Sequence, residues 1–153
     1  LQPSHAAMTP PPTHAEHYRV FLVEDHPVVR LGLRQIIGFA PGLEVCGEAE
    51  TVDDAMQQID ELRPQVVLVD LMLPGRSGMD LVRYIKRHWL GIKVIVVSTH
   101  DERLYGPAAR QAGADCYINK HEAMDQIVQA IRSVTRSHAG PTDDDAQASF
   151  SFG

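Results

Sequence analysis

The sequence predicts an α/β fold, a three-layer sandwich in which helices cover both faces of a parallel sheet. Two observations lead there. Five short runs rich in Val and Ile alternate with five segments whose apolar residues recur every three or four positions. The runs are continuously apolar rather than alternating, as expected of strands buried on both faces.

Each element has its own local reason. Val20-Phe21-Leu22-Val23 is the first strand, and Pro27 opens a helix with Val29, Leu33, Ile36 and Ile37 on one face. Pro41-Gly42 ends that helix, and Leu43 to Ala49 reads as a half-buried strand. Thr51, with Asp54 three residues on, caps a helix carrying Ala55, Ile59 and Leu62. Val66-Val67-Leu68-Val69 is the third strand, and Ser77 caps a helix bearing Met79, Val82, Ile85 and Trp89. Val94-Ile95-Val96-Val97 is the fourth strand, followed by a helix that ends at Gly113. Gly106-Pro107 interrupts this helix. Pro107 sits more comfortably at a helix start than inside one, so the helix is expected to be short or partly unwound at its start. Cys116-Tyr117-Ile118 is a short fifth strand, and Ile127, Ile131 and Val134 stripe the last helix.

At 153 residues the chain has room for one domain of ordinary size. Hydrophobic residues at 44% and charged residues at 22% exclude a wholly disordered or collagen-like chain. No apolar stretch approaches the roughly 20 residues of a membrane span, and Leu1 to Tyr18 lacks the apolar core of a signal peptide. All 14 Lys and Arg and 16 of the 20 acids lie between Arg19 and Arg136, so most of the −6 net charge comes from Glu16 and Asp143-Asp144-Asp145. A near-neutral body offers no broad basic footprint for nucleic acid. Two cysteines, Cys46 and Cys116, without an export signal point to a reduced, cytoplasmic setting. Residues 1–18, with Pro3, Pro10, Pro11 and Pro12, read as a flexible leader in which Met8 is a candidate native start. Residues 19–136 form the domain and 137–153 a flexible tail.

Ligands of an open α/β sheet bind outside the carboxyl ends of its strands. Glu24 and Asp25 follow the first run, Asp70 the third, Ser98 and Thr99 the fourth, and Asn119 and Lys120 the fifth. Three carboxylates packed together repel unless a cation intervenes. A hard divalent ion with oxygen ligands suits them, and with Lys120 the charges sum to zero. Asp70, on the tight loop Asp70-Leu-Met-Leu-Pro-Gly75, is the candidate nucleophile towards a phosphoryl group. The metal and Lys120 would neutralise charge, and Ser98 would donate to a phosphoryl oxygen.

These residues resemble a known family. Val23-Glu24-Asp25-His26-Pro27, Asp70-Leu-Met-Leu-Pro-Gly-Arg-Ser-Gly78, Val97-Ser98 and Ala114-Asp-Cys-Tyr-Ile-Asn-Lys120 are similar to the receiver domain of bacterial two-component response regulators. The match runs from about Arg19 to Arg136. Glu24 to Leu33 further resembles the NarL/FixJ-like subgroup, whose receivers usually precede a LuxR-type helix-turn-helix. The resemblance implies a flavodoxin-like, doubly wound five-stranded sheet of order 2-1-3-4-5. It implies that Asp70 accepts phosphate from a sensor histidine kinase or phosphotransfer protein. It implies Mg²⁺ (or Mn²⁺) held by Asp25, Asp70 and the Met72 main-chain carbonyl, with Glu24 acting through water. Ser98 and Lys120 would contact the phosphoryl group. Ser98 and Tyr117 would form the switch pair, the ring turning inward as the hydroxyl moves. Such a protein assists its own phosphotransfer and dephosphorylation rather than acting as an enzyme on a separate substrate, and a phosphorylation-dependent homodimer belongs to the same expectation.

The sequence departs from the family pattern at three places: His121 stands where Pro is common, Thr99 where Ala is common, and Gly106-Pro107 lies in the switch helix. Blander readings stand beside the sharp ones. Asp25 could cap the first helix, Tyr117 could be a half-buried packing residue, and Met72 and Met79 are ordinary filler. His26 and His100 read first as loop residues, and His14-Ala-Glu-His17 lacks the spacing of a zinc helix. The cysteines would lie on opposite sheet edges, about 19 Å apart at four strand spacings and beyond disulfide reach. Two other functions stay open: an interaction module that takes no phosphate, and an aspartyl-nucleophile phosphohydrolase, against which Met72 stands where a second Asp is wanted. The 17 residues after Arg136 hold no helix-turn-helix pattern and no Lys or Arg. The chain is therefore either cut from a longer transcription regulator, whose missing part would bind DNA, or a stand-alone receiver acting through proteins.

Overall fold

The apolar runs become the five strands of one parallel sheet in the computed structural model, which describes residues 16–121 and 124–136. The elements are β1 (Tyr18–Val23), α1 (Pro27–Gly38), β2 (Leu43–Ala49), α2 (Val52–Leu62), β3 (Val66–Val69), α3 (Gly78–His88), β4 (Lys93–Ser98), α4 (Glu102–Ala112), β5 (Cys116–Asn119) and α5 (Ile127–Arg136). A single 3₁₀ turn, Met124–Gln126, leads into α5. The strand order is β2-β1-β3-β4-β5, the doubly wound flavodoxin-like order the family resemblance implied. Residues of the expected leader and tail lie outside the described residues, except that Tyr18 already pairs with Leu43 in β1 and His17 lies 3.5 Å from Glu44.

Strand periodicity divides the core into two layers. Val20 and Leu22 face Leu33 and Ile37 of α1 and Ile127, Ile131 and Val134 of α5. Phe21 and Val23 face the opposite layer, with Ala55 and Ile59 of α2, Val82 and Ile85 of α3 and Ala109 of α4. Both faces of β1 and β3 are therefore buried, which explains their lack of polar alternation.

The expected caps are in place: Thr51 Oγ1 accepts from the Asp54 N–H at 3.2 Å, and Ser77 Oγ from the Met79 N–H at 3.0 Å. Asp25 is not a cap, because His26 occupies the N-cap of α1 ahead of Pro27. Cys46 and Cys116 lie on β2 and β5, the two edges of the sheet, and are not bridged to each other. At the amino end of the sheet Asp60 accepts from Tyr84 Oη and Trp89 Nε1, both at 2.7 Å, tying α2 to the end of α3. No helix among the described residues is long and apolar enough to cross a membrane.

One expectation fails. The fourth helix is neither short nor unwound at its start; α4 runs unbroken from Glu102 to Ala112 with Pro107 inside it. Two local features permit this. Proline disfavours a helical conformation in the preceding residue through clashes with its N–H and its Cβ, and Gly106 lacks the Cβ. Asp101 caps the helix, its carboxylate accepting from the Arg103 N–H at 2.9 Å, so the first turn is held without help from Pro107. In hydrogen exchange, the Tyr105, Gly106 and Ala108–Ala112 amides should be protected as one block. Rapid exchange up to Pro107, with protection only beyond it, would place the helix start at the proline instead.

Candidate functional site

Sheet register puts the predicted residues side by side. Val23 pairs with Val69, and the pairing extends beyond the strands: the Asp70 N–H donates to the Val23 carbonyl at 3.0 Å, and the Glu24 N–H to the Ala49 carbonyl at 3.0 Å. On the other side Ser98 pairs with Asn119, and the Lys120 N–H donates to the Ser98 carbonyl at 2.8 Å. Glu24, Asp25, Asp70, Ser98 and Lys120 thus leave the carboxyl edge of four adjacent strands at one level. This is the crevice where the winding of the sheet reverses.

Lys120 joins the acids. Its Nζ lies 2.6 Å from Glu24 Oε2 and 3.0 Å from Asp70 Oδ2, with all three side chains buried. Asp70 Oδ1 accepts from the Met72 N–H at 3.0 Å. Burial raises the Asp70 pKa; the Met72 N–H and Lys120 oppose this, and the Glu24 charge adds to it. Burial disfavours the Lys120 charge, but the hydrogen bonds to Glu24 and Asp70 outweigh it and hold its pKa above the usual lysine value.

The sequence reads His26 first as a loop residue flanking the site and gives Arg30 no role there; both belong to it. His26 Nδ1 lies 2.9 Å from Glu24 Oε1 and 3.3 Å from Asp25 Oδ1. Arg30 donates to the Glu24 main-chain carbonyl at 2.8 Å and is itself held by Glu48 at 3.0 Å and Glu50 at 3.1 Å. The signal for Arg30 lay in its place four residues into a helix that starts at the acids, where a long side chain reaches back over them. Glu24, Asp25, His26 and Asp70 each offer a ligand atom within 4.8 Å of the others. Asp25 Oδ1 is buried and accepts no hydrogen bond. Such an orphaned acceptor among carboxylates fits a divalent cation.

Gly78 shapes the Asp70 loop. Its N–H donates to the Leu71 carbonyl at 2.9 Å, and a Cβ there would fall 2.1 Å from the Asp70 carbonyl oxygen. Only glycine lets α3 start this close to the backbone of Asp70.

The hydroxyl side of the site is also assembled. Ser98 is fully buried, and its Oγ accepts from the His100 N–H at 3.0 Å. Tyr117 is buried rather than half-exposed, and its hydroxyl donates to the His100 carbonyl at 2.8 Å. Burial raises the Tyr117 pKa against a hydrogen bond from the Ser98 hydroxyl. The His100 ring packs on Tyr105 of α4, with centroids 4.8 Å apart. Thr99 is exposed beyond Ser98, Met72 is exposed beside Asp70, and the His121 N–H closes its turn on Asn119 Oδ1 at 2.8 Å.

A doubly wound sheet with an acid corner, a bridging lysine and a buried hydroxyl at its carboxyl edge defines the class: an α/β module whose polar groups gather at the switch point. Residues 20–132 match the response regulator receiver domain family. The chain belongs to that family, as a receiver domain of two-component systems. It is 37% identical over 116 residues to the response regulator GacA of Pseudomonas aeruginosa, covering 76% of this chain and 54% of that one. It is 38% identical over 115 residues to UvrY of Escherichia coli, covering 75% and 53%. The chain therefore spans about half the length of these curated relatives. Among solved structures, a LuxR-family two-component response regulator from Aurantimonas sp. SI85-9A1 superposes with TM-score 0.77 at 32% identity, covering 86% of this chain and 94% of that one.

Gly78→Ala forces backbone against backbone. It is expected to cost about 1–3 kcal/mol of folding stability, as overpacking does, read by urea unfolding. An unchanged midpoint would mean that the Asp70 loop does not depend on this contact.

Proposed function

We propose that this receiver takes a phosphoryl group on Asp70 from a sensor histidine kinase or phosphotransfer protein and relays its charge to the surface around α4 and β5. The observation that carries this reading is the Lys120 ammonium, set between Glu24 Oε2 at 2.6 Å and Asp70 Oδ2 at 3.0 Å. In the transfer an Asp70 oxygen attacks phosphorus. A P–O bond forms as the donor's P–N bond breaks, and the electron pair stays on the donor nitrogen. Lys120 follows the negative charge onto the phosphoryl oxygens, and the acids keep it oriented.

Asp25, Asp70 and the Met72 carbonyl, with Glu24 through water, would hold Mg²⁺ or Mn²⁺; the orphaned Asp25 Oδ1 supports the assignment. Such an ion supplies charge neutralisation at the transferring group. Ser98 would turn its proton to a phosphoryl oxygen and so give up its hydrogen bond to Tyr117. The Ser98–Tyr117 pair would then act as the switch, driven by about −1.5 to −2 of added charge. The ring lies inside already, so the switch would work by exchange of its hydrogen bonds rather than by a first entry into the core. The same reading gives a cytoplasmic phosphoacceptor without a separate substrate, with a phosphorylation-dependent homodimer. Its output would be transcription regulation through a DNA-binding region of a longer regulator, in keeping with its LuxR-family neighbour.

Incubation with acetyl phosphate and Mg²⁺ should add the mass of one phosphoryl group, removable by hydroxylamine, and Asp70→Asn should abolish the adduct. No adduct on the native chain, or an undiminished one on Asp70→Asn, would overturn the reading in favour of a phosphate-independent interaction module or a different acceptor.

A further inference from the structure

His26 Nδ1 and Asp25 Oδ1 at the acid corner are spaced like neighbouring ligands of one ion. His26 Nδ1 lies 2.9 Å from Glu24 Oε1 and 3.3 Å from Asp25 Oδ1. Donors about 2.1 Å from a small divalent ion stand about 3 Å apart at adjacent octahedral positions. We propose that His26 is a metal-ligating residue, its Nδ1 adding a nitrogen donor that moves the corner's preference from Mg²⁺ towards borderline transition ions. The inference rests on the reading that this corner holds a divalent cation, and extends it to which cation.

The simpler explanation is a histidine–carboxylate ion pair, and it leaves Asp25 Oδ1 without a hydrogen bond. Nδ1 carries at most one proton and can serve Glu24 Oε1 with it. Asp25 Oδ1, at 3.3 Å from the same nitrogen, is buried and accepts no hydrogen bond. A cation bound by His26 Nδ1 and Asp25 Oδ1, with Glu24 Oε1 reached through water, satisfies the orphan as well. The remaining oxygens are divided consistently. Lys120 takes Glu24 Oε2 and Asp70 Oδ2, which leaves Glu24 Oε1 and Asp25 Oδ1 on the His26 side.

The backbone also holds the ring where it is. His26 is the N-cap of α1, extended at φ −88° and ψ 113°, and its N–H donates to Glu24 Oε1 at 3.2 Å. Pro27 follows and fixes the chain direction into the helix. The ring is thereby folded back over the acids although its side chain is 63% exposed. Mg²⁺ favours oxygen donors and sheds water reluctantly, whereas imidazole suits Co²⁺, Ni²⁺ and Zn²⁺, which also rank higher in intrinsic affinity.

The test uses the full chain and Co²⁺, whose absorption and paramagnetic shifts report its ligands. Titrations of Co²⁺ and Mg²⁺ are compared in the native chain, His26→Asn and His26→Ala. Asparagine preserves a favourable N-cap, so the fold is retained. Only Co²⁺ that excess Mg²⁺ displaces, and that Asp25→Asn no longer binds, is counted; this excludes ions held by other histidines. Losing even a supporting partner of a ligand costs about 10–100-fold in metal affinity, so both His26 variants should weaken Co²⁺ at least about ten-fold. Mg²⁺ affinity should change far less, and a shifted imidazole resonance in the Co²⁺ form should disappear. An unchanged Co²⁺-to-Mg²⁺ ratio in both variants would overturn the role of His26 while leaving the cation site standing. Failure of the native chain to bind either ion would overturn the site reading and this inference with it.

Discussion

Three buried or half-buried carboxylates meet at one corner where a single ammonium group reaches two of them, and that imbalance governs the domain. Glu24 and Asp70 are 2% and 3% exposed, and Lys120 reaches both. One positive charge among three negative ones leaves an excess that the protein interior cannot solvate. Burial therefore raises the Asp70 pKa even with Lys120 and the Met72 N–H in contact with it. A hydrophobic core would gain nothing from such a group. Its free energy falls when a cation arrives, and the architecture around it resists the alternative of moving the acids apart.

That resistance is built from backbone and from a second rank of charges. The Asp70 and Glu24 N–H groups continue the sheet ladder, so neither acid leaves without breaking strand pairing. Arg30 pins the Glu24 carbonyl and is held in turn by Glu48 and Glu50 of the β2 side. Gly78 lets α3 crowd the Asp70 carbonyl from the other direction. The two apolar layers fix the strands that carry these groups, and in this sense the core of Val, Ile and Leu serves to hold like charges together.

Much of this was legible in the sequence because its signals are local or additive. Continuous apolar runs gave strands within a residue or two of their observed ends, and Thr51 and Ser77 announced their helices as single side chains bonding to nearby N–H groups. The acids and Lys120 could be grouped because a parallel sheet brings every strand's carboxyl end to one edge. What escaped depends on three-dimensional contact. His26 looked like a loop residue because its meaning lies in a rotamer folded onto Glu24 and Asp25. Pro107 looked like a breaker because the pairing with a Cβ-free Gly106 and the separate Asp101 cap had to be weighed together. The Asp60 carboxylate reads as one more surface acid in α2, yet it receives both Tyr84 and Trp89 from the end of α3.

Lys120 and Ser98 are coupled more closely than their separate roles suggest. The Lys120 N–H donates to the Ser98 carbonyl, while the Ser98 side chain is engaged by the His100 N–H and by Tyr117. Tyr117 in turn bonds to the His100 carbonyl, and the His100 ring lies on Tyr105 of α4. A charge added at Asp70 pulls on Lys120 through its ammonium group and on Ser98 through its hydroxyl, so on the proposed reading both ends of one backbone hydrogen bond receive the signal. The Ser98 hydroxyl has a single proton. Turning it to a phosphoryl oxygen would withdraw it from Tyr117, whose own hydroxyl donates to the carbonyl of His100, a residue packed on α4. Because interiors are close-packed and shift between discrete arrangements, on the proposed reading a hydrogen bond redirected at the edge of β4 would be felt at His100 and through its ring at Tyr105 of α4.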